Sequence, residues 1–400
     1  MRSRRKKHKG ECFWFSGISG TGVREALHSL QTFFQEEHDR TAEIVSVEKS
    51  VLATFNPELS WEQPGVFKAV VDEPTSTVRK LWKEAASKAA KEAEQHLNAG
   101  KDVFFTFHGI YFTDKYSDFY SPLDVSVVQR FPPPKTFINL IDDIGDVAAR
   151  LRRDSHVFSN RPKTGIDSVN EAIHDLLTIL EWRSQELVVS RLLGPFVGKE
   201  PIILAVKHPT NTAAKILLGQ GTLVYVSHSI SEARNYCRTH PDWPPFMGEV
   251  QRFSDELASN NQIIPILPTT IDEFRIDDKK INGLRSPTPS CLARWDTPKQ
   301  APLVSRVEKD DWLDPRHYFG GPGGNGKSKK NKQEQDELKA LQGLLEALHN
   351  RIGNQVNARD HLLVAQCPIL VVYRPYRMAW GIKESGGSEG RNRTQRQAAE

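Results

Sequence analysis

The chain has few of the residues that build cross-linked or membrane-embedded proteins. Its four cysteines are scattered, without the paired spacing of a disulfide framework or a zinc site. No apolar run approaches the roughly 20 residues that a membrane-spanning helix needs. The basic residues at the start are not followed by the apolar region of a secretory signal. We therefore expect a cytoplasmic protein with no membrane partner.

The composition also gives little support for a nucleic-acid partner. The formal net charge is only +4, and the basic residues of positions 1–10 predict a disordered tip rather than a binding surface. The chain has no basic motif interleaved with aromatic residues of the kind that reads bases. With 400 residues, 38% of them hydrophobic and 26% charged, it is expected to form a globular protein of two or three domains.

What the sequence does contain is a glycine-rich turn between a strand and a helix. Residues 12–16 are a short apolar run typical of a buried strand, and apolar residues recur at helical spacing over 23–34. Residues 17–22 between them read Gly-Ile-Ser-Gly-Thr-Gly. Glycines let the backbone approach an anion closely, and a helix N-terminus presents unpaired N–H groups to it. This stretch therefore predicts a phosphate-binding loop.

The loop has the frame of a Walker A motif but departs from it at the last two positions. Val23 and Arg24 stand where Lys and Ser/Thr are usual. The loop therefore lacks both the lysine that contacts the terminal phosphates and the hydroxyl that holds Mg²⁺. Arg24 can supply the charge, and Ser19 or Thr21 the hydroxyl. The residues expected to bind phosphate here are Gly17, Ser19, Gly20, Thr21, Gly22 and Arg24.

Apolar runs alternate with helical patterns through the first half of the chain. Strands are expected at 12–16, 42–47, 102–108, 135–143 and 201–206, helices at 23–34, 77–100, 144–153 and 168–193, and loops over 61–78. This alternation predicts an α/β fold with a parallel sheet covered on both faces. Ligands of such sheets bind at the carboxyl ends of the strands. That edge is expected to gather the glycine loop, His108, Asp142, Asp143, Lys207 and His208.

Two charged groups near this edge are open to different interpretations. Asp142 and Asp143 follow an apolar strand, as in a Walker B site that holds Mg²⁺, but either one can instead cap the helix that starts at Ile144. Arg150, Arg152 and Arg153 suit phosphate binding, with Arg150 and Arg153 the favoured ligands, or they form a solvated helix face. Further along, the spacing of Arg183 and Glu186 is that of a plain surface pair.

Residues 10–215 resemble the nucleoside-monophosphate kinase branch of the P-loop proteins. The resemblance lies in the early glycine loop, the arginine-rich segment after a later strand and the closing strand. It implies binding of ATP or another nucleotide, with Mg²⁺ at Asp142 and Asp143. The departure at Val23 and Arg24 leaves phosphate binding better supported than catalysis.

A second α/β unit is expected after Gly219, so we divide the chain into a tip (1–10), a P-loop kinase-like domain (11–218) and a smaller flavodoxin-like domain (219–400). The second unit has an apolar strand that begins at Thr222 and leads through a polar turn into a helix within 222–234, and further apolar strands over 261–268 and 367–373. Residues 277–333, rich in Pro, Ser, Gly and charge, predict a flexible insertion. The helix expected over 333–352 carries a stripe of Leu338, Leu341, Leu345 and Leu348, which packs on the second sheet or mediates homo-oligomer formation.

The second unit resembles the nucleoside 2-deoxyribosyltransferase family, whose members cleave N-glycosidic bonds. The resemblance rests on Tyr225 in the first strand and its turn, on Asp360, and on Gly381 followed by Glu384. It implies that Glu384 acts at the anomeric carbon, with Asp360 and Tyr225 in the site and Glu389 as a rival acid. The alternatives are that Tyr225 and Trp380 only pack and that Glu384 is a solvated acid.

The two resemblances together predict a two-domain protein that handles nucleotides. The first domain binds a nucleotide phosphate, and the second binds or cleaves a nucleoside or nucleotide. As an enzyme it would be a nucleotide phosphotransferase or NTPase, or a deoxyribosyltransferase or N-glycosidase. The alternatives are a non-catalytic nucleotide sensor and a nucleotide kinase whose P-loop lacks the lysine.

Overall fold

The computed structural model of the chain describes residues 10–158, 166–228, 252–253, 256–271, 301–305 and 332–373. Within these ranges the protein is α/β, as predicted, with a parallel five-stranded sheet in its first half and a parallel three-stranded sheet after it. The larger sheet has the order β2-β3-β1-β6-β7. Its strands are β1 (Cys12–Ser16), β2 (Ala42–Ser46), β3 (Asp102–Thr106), β6 (Thr136–Ile141) and β7 (Ile202–Ala205).

The remaining elements connect and cover the sheets. A hairpin of β4 (Tyr111–Thr113) and β5 (Asp118–Tyr120) follows β3, and the smaller sheet has the order β10-β8-β9, with β8 (Thr222–His228), β9 (Ile263–Ile266) and β10 (Ile369–Tyr373). The helices are α1 (Val23–His38), α2 (Val47–Phe55), α3 (Lys68–Val71), α4 (Thr75–Asn98), α5 (Val125–Val128), α6 (Ile144–Asp154), α7 (Ile166–Val197), α8 (Thr210–Leu218) and a helix here numbered α9 (Lys332–Ala365).

The alternation of side chains along β1 explains why the larger sheet is covered on both faces. Phe13 and Phe15 pack on one side with Phe104 and Phe34, whereas Trp14 packs on the other side with Phe105. All are fully buried. Successive side chains of a strand point to opposite faces, so a continuous apolar run requires a layer on each side. The predicted central strands are confirmed on this basis.

The expectation of loops over residues 61–78 is partly wrong. This stretch contains α3 and the first residues of α4, which begins at Thr75 directly after Pro74. Proline is tolerated at the start of a helix because the first N–H groups have no partner within the helix. Pro74 therefore marks a helix start rather than an absence of helix.

The residues just after β7 are hydrogen-bonded to a segment from the second half of the chain. Val304 N donates to the carbonyl of Val206, and Leu303 N to the carbonyl of His208, each at 3.0 Å. These residues belong to the stretch expected to be a flexible insertion, of which the structure describes residues 301–305 and the start of α9. Leu303 and Val304 are buried, so this part of the stretch is packed.

The core is continuous across Gly219, where the sequence predicts a domain boundary. One apolar cluster contains Phe104 and Leu204 of the first sheet together with Tyr225, Ile264 and Leu363. His208 adds a polar link, because its Nε2 accepts a hydrogen bond from Leu267 N at 3.1 Å. The division into two domains remains a prediction, and the two sheets share a core.

The expected packing of the leucine-stripe helix on the second sheet is wrong for the part whose side chains are described. Leu348 and Ile352 of α9 are buried against Val147 and Leu176 of the first half. Only further along does α9 approach the shared core, through Leu363. Of the stripe, Leu348 is buried as predicted, but the periodicity of one helix does not specify its partner.

Candidate functional site

The glycine loop has the predicted position between β1 and α1. Gly22 is the N-cap of α1, with a left-handed φ of 86°, and no described side chain caps the helix there. By contrast, Ser46 caps α2 and Asp143 caps α6 through side-chain hydrogen bonds. The first N–H groups of a helix have no partners within it. The start of α1 therefore offers backbone donors to a ligand.

Two glycines of the loop are required by close packing on one side. A Cβ atom on Gly20 would lie 2.8 Å from Leu151 Cγ, and one on Gly22 would lie 2.9 Å from Val304 Cγ1. Both residues have positive φ values, which L side chains rarely adopt. The loop thus rests against α6 and residue 304. Thr21 is buried as well, 1% exposed.

The other side of the loop borders a cavity of about 470 Å³. It lies at the carboxyl ends of β1, β2 and β3, where a parallel sheet is expected to bind its ligand. Its wall includes loop residues Ser19, Gly20 and Gly22 and helix residue Arg24. Other lining residues are His28, Gln31, Glu43, Ser46, Glu48, Lys49, Trp61, Phe67, Lys68, His108, Tyr111, Phe112, Arg150 and Trp182.

Arg24 is the loop-proximal cation with the most accessible side chain. Its side chain is 48% exposed and its Nη1 lies 3.1 Å from Glu62 Oε2. An ion pair this exposed contributes little stability. Arg24 is therefore free to exchange Glu62 for the phosphate of a ligand at small cost.

Glu48, a residue that the sequence analysis did not single out, lies at the floor of the cavity. It lies in the first turn of α2, which begins where β2 ends, and it is 2% exposed. Its Oε1 accepts hydrogen bonds from His108 N at 2.8 Å and from Tyr111 Oη at 3.3 Å. The predicted edge residue His108 also contacts the glycine loop, because its Nδ1 hydrogen-bonds with the carbonyl of Gly17.

A second carboxylate, Glu186, lies behind this floor. Its two oxygens accept hydrogen bonds from Gly109 N at 3.0 Å and Ile110 N at 2.8 Å. Burial raises the pKa of Glu186 to about 7, against the opposing effects of His108 and the two N–H donors. The expectation that Arg183 and Glu186 form a surface pair is wrong, since both are buried. Arg183 Nη1 instead donates to the carbonyl of Asp142 at 3.2 Å.

Asp142, a predicted Mg²⁺ ligand, is part of a buried ion cluster. Its Oδ2 lies 2.7 Å from Arg150 Nη1 and 3.0 Å from Lys207 Nζ, and Lys207 Nζ lies 2.5 Å from Asp146 Oδ2. Oδ1 of Asp142 accepts from Asp143 N at 2.8 Å. The sequence correctly grouped Asp142 with Lys207 at one edge of the sheet.

The same cluster provides a test of how well these residues suit Mg²⁺. Asp142, Asp143 and Asp146 each have a carboxylate oxygen within 4.8 Å of the others, but Arg150 and Lys207 already form ion pairs with Asp142 and Asp146. Mg²⁺ binds through carboxylates and water and keeps several waters. In this arrangement the residues do not fit the ion. The alternative that one of these aspartates caps α6 holds for Asp143, whose Oδ1 accepts a hydrogen bond from Asp146 N at 3.0 Å.

The three arginines of α6 have different surroundings. Arg150 is buried, lines the cavity, and donates from Nη1 to the carbonyl of Gly20 at 3.0 Å. Arg152 pairs with Asp175 at 2.6 Å. Arg153 is 61% exposed and pairs with the adjacent Asp154, as the solvated-face alternative expects. Arg150 thus holds the glycine loop by donating to the carbonyl oxygen of Gly20.

The candidate residues of the second unit are only partly within the described ranges. Tyr225 is 5% exposed and belongs to the shared apolar core, as the packing alternative expects, and burial together with Asp360 raises its pKa. Asp360 accepts hydrogen bonds from its neighbour Arg359. Trp380, Gly381, Glu384 and Glu389 lie outside the described residues. The proposed glycosidic site stays a prediction.

Comparisons with known proteins add little to this geometry. No protein-family model matches the chain, and no curated protein matches it. Among solved structures, the chain is similar to an unliganded sugar kinase from Janibacter sp. HTCC2649, with 14% identity, a TM-score of 0.27, and coverage of 52% of this chain and 95% of that one. None of the helices that the structure describes is both long and apolar enough to cross a bilayer.

Proposed function

We propose that the first half of the chain is a kinase-like unit that binds ATP or another nucleotide, with the phosphates against residues 17–24. The observation that carries this proposal is the position of the cavity. It joins the uncapped start of α1 to the carboxyl ends of β1, β2 and β3. Backbone N–H groups at a helix start, next to a glycine turn, suit an anionic ligand.

Phosphate binding in this proposal depends on backbone donors and on Arg24. The Walker A lysine position is Val23, and the cavity-lining Arg150 is already paired with Asp142. Arg24 borders the same cavity, and its ion pair with Glu62 is exposed to solvent. A guanidinium also matches a phosphate bidentately. We assign the main side-chain contact with the phosphates to Arg24.

One observation favours a nucleotide sensor as the second candidate. Val304, which comes from the second half of the chain, packs directly against Gly22 of the loop. A ligand that shifts the loop would therefore act on a segment that is hydrogen-bonded to the residues just after β7 and is part of the shared core. In this form of the proposal the protein binds nucleotide without turning it over. Cleavage of a glycosidic bond by the second half, and a cytoplasmic location, stay predictions.

Calorimetric titration of the full chain with ATP, GTP, CTP and UTP, each with and without Mg²⁺, tests the proposal. We expect at least one to bind, and Arg24→Gln to weaken it about tenfold or more, since a hydrogen bond to a charged group contributes about 1.5–3 kcal/mol. The matched control is Arg79→Gln on α4, away from the cavity, where an exposed arginine donates to Ser121 O.

The outcomes separate the candidates. If no nucleotide binds, or if Arg24→Gln binds as tightly as the wild type, the phosphate assignment is wrong. If a nucleotide binds, chromatography of the nucleotides after incubation distinguishes an enzyme from a sensor. Conversion of the bound nucleotide indicates a phosphotransferase or NTPase, and its recovery unchanged indicates a sensor.

A further inference from the structure

We infer that the floor of the cavity, formed by Glu48, His108 and Tyr111, takes an uncharged group that carries hydroxyls, such as the sugar of a nucleoside, rather than a second phosphate. This inference rests on the proposed function, because it assumes that phosphates of a nucleotide occupy the loop side of the same cavity. It differs from what the resemblance to nucleoside-monophosphate kinases implies, which is a phosphorylated second ligand.

The first argument is the hydrogen-bonding capacity of Glu48. Its Oε1 is occupied by His108 N and Tyr111 Oη, whereas its Oε2 accepts from Ser46 Oγ at 3.4 Å, the outer limit of a hydrogen bond. A carboxylate has about four lone-pair sites. Glu48 lines the cavity, so it can accept a hydrogen bond from a ligand hydroxyl.

The second argument is the charge of the floor. Glu186 lies behind Gly109, where an added Cβ would come within 3.2 Å of both Glu186 oxygens, and the charge of Glu48 is among the influences that raise the pKa of Glu186. Two carboxylates thus interact here, with His108 beside them. Like charges at close range repel strongly where the site is poorly solvated. A phosphate dianion placed against Glu48 would be repelled.

Two of the four lysine and arginine residues on the cavity wall are paired elsewhere and so do not offset this charge. Lys68 lies 3.4 Å from Asp72 and 3.3 Å from Asp114, and Arg150 is held by Asp142. Arg24 is at the loop, where the proposed nucleotide phosphates lie, and Lys49 is exposed. The loop side of the wall therefore has an accessible cation, Arg24, although Glu25 and Glu62 line the cavity there too, whereas the floor is acidic.

The third argument is the aromatic wall next to the floor. Trp61, Phe67 and Tyr111 form a chain of edge-to-face contacts, with ring centroids 5.8 Å and 5.5 Å apart, and all three line the cavity. Such rings pack against a planar base or the apolar face of a sugar. Together with a carboxylate acceptor, they suit a neutral nucleoside.

The test compares nucleosides with their own 5′-monophosphates on the full chain saturated with the nucleotide that it binds. The probes are adenosine, guanosine, cytidine, uridine and thymidine and the five matching monophosphates, measured by calorimetry. We expect at least one nucleoside to bind more tightly than its monophosphate. The inference is overturned if each monophosphate binds as tightly as its nucleoside or more tightly, or if no nucleoside binds.

A charge-removing variant makes the test specific to the floor. Glu48→Gln should weaken nucleoside binding about tenfold, as expected when a hydrogen bond to a charged group is lost. It should also reduce the preference for the nucleoside over its monophosphate. Glu43→Gln is the matched control, since Glu43 also lines the cavity but pairs with Lys101 at 2.6 Å. An unchanged preference in Glu48→Gln would refute the assignment. If that buried variant does not fold, the wild-type comparison decides alone.

Failure of this inference and failure of the proposed function have different signatures. Triphosphate binding is measured in the same samples and depends on Arg24 and the loop. A chain that binds a triphosphate but prefers monophosphates at the second position refutes only the floor assignment. A chain that binds no triphosphate refutes the proposed function itself.

Discussion

The side-chain amide of Gln366 hydrogen-bonds to both backbone groups of Ile203. Its Oε1 accepts from Ile203 N and its Nε2 donates to Ile203 O, each at 2.9 Å. Ile203 lies in β7, the edge strand of the larger sheet. An uncovered edge strand exposes unpaired N–H and C=O groups to pairing with other chains. Gln366 therefore takes the place of a neighbouring strand at this residue.

Replacing Gln366 with leucine should lower the free energy of unfolding by about 2 kcal/mol, because it leaves buried backbone groups of Ile203 without partners. Urea denaturation followed by circular dichroism measures the effect. Gln95→Leu, at an exposed position of α4, is the control and should change stability little. Equal effects of the two substitutions would show that the contact adds nothing.

His208 should make the protein sensitive to acid. Burial lowers the pKa of His208 to about 4, whereas an unfolded histidine titrates near 6.5. Between these values the unfolded chain binds a proton that the folded chain does not, so stability falls as the pH falls. The loss amounts to about 3 kcal/mol when the pH has dropped to 4.

The measurement is urea unfolding at several pH values between 4 and 7. We expect His208→Gln to be less stable than the wild type at pH 7 and to show a smaller decline toward pH 4. His361→Gln, at an exposed position of α9, should retain the decline of the wild type. A decline of the same size in His208→Gln would assign the acid sensitivity to other groups.

The buried ion cluster should behave as a unit. Lys207→Met leaves Asp142 and Asp146 with less positive charge, and we expect it to cost about 3–5 kcal/mol, the usual loss when one partner of a buried pair is removed. The double variant Asp142→Asn with Lys207→Met should cost less than the sum of the two single changes. Additive losses in thermal or urea unfolding would contradict the coupling.

The contact between Gly22 and Val304 can be tested by the same logic. Gly22→Ala should destabilise the protein by about 1–3 kcal/mol, because alanine is strained at a positive φ and its Cβ overlaps Val304. Val304→Ala removes the overlap but not the backbone strain. The double variant should therefore recover part of the loss when measured against Val304→Ala alone. No recovery would mean that strain accounts for the whole effect.

The features that the sequence predicted well depend on neighbouring residues. The strand 12–16, the glycine turn and α1 follow from local apolar spacing and from glycines at fixed positions. The meeting of Asp142 with Lys207 followed from a general property of parallel sheets, that strand ends share one edge. Both kinds of inference need only the order of the elements.

The features that it missed depend on contacts between distant residues. Glu48 looks like an ordinary helix residue, and only the fold places it beside His108 and Tyr111. Glu186 and Arg183 have the spacing of a surface pair, but the part of α7 that carries them is packed against other elements, so both side chains are buried. Val304 lies in a stretch whose composition suggests a linker, and the hydrogen bonds that Leu303 and Val304 donate go to residues about a hundred positions earlier.

Val304 and Gln366 support the first half of the chain, and this affects how truncated fragments of the protein would behave. A fragment ending at residue 218 would contain every strand of the larger sheet, yet it would lack the side chain under Gly22 and the amide clamp on Ile203. The edge of β7 would be exposed to pairing with other chains, and the glycine loop would lose its contact with Val304. Such a fragment would be prone to aggregate, and a failure of the fragment to bind a nucleotide would not show that the intact chain fails to bind it.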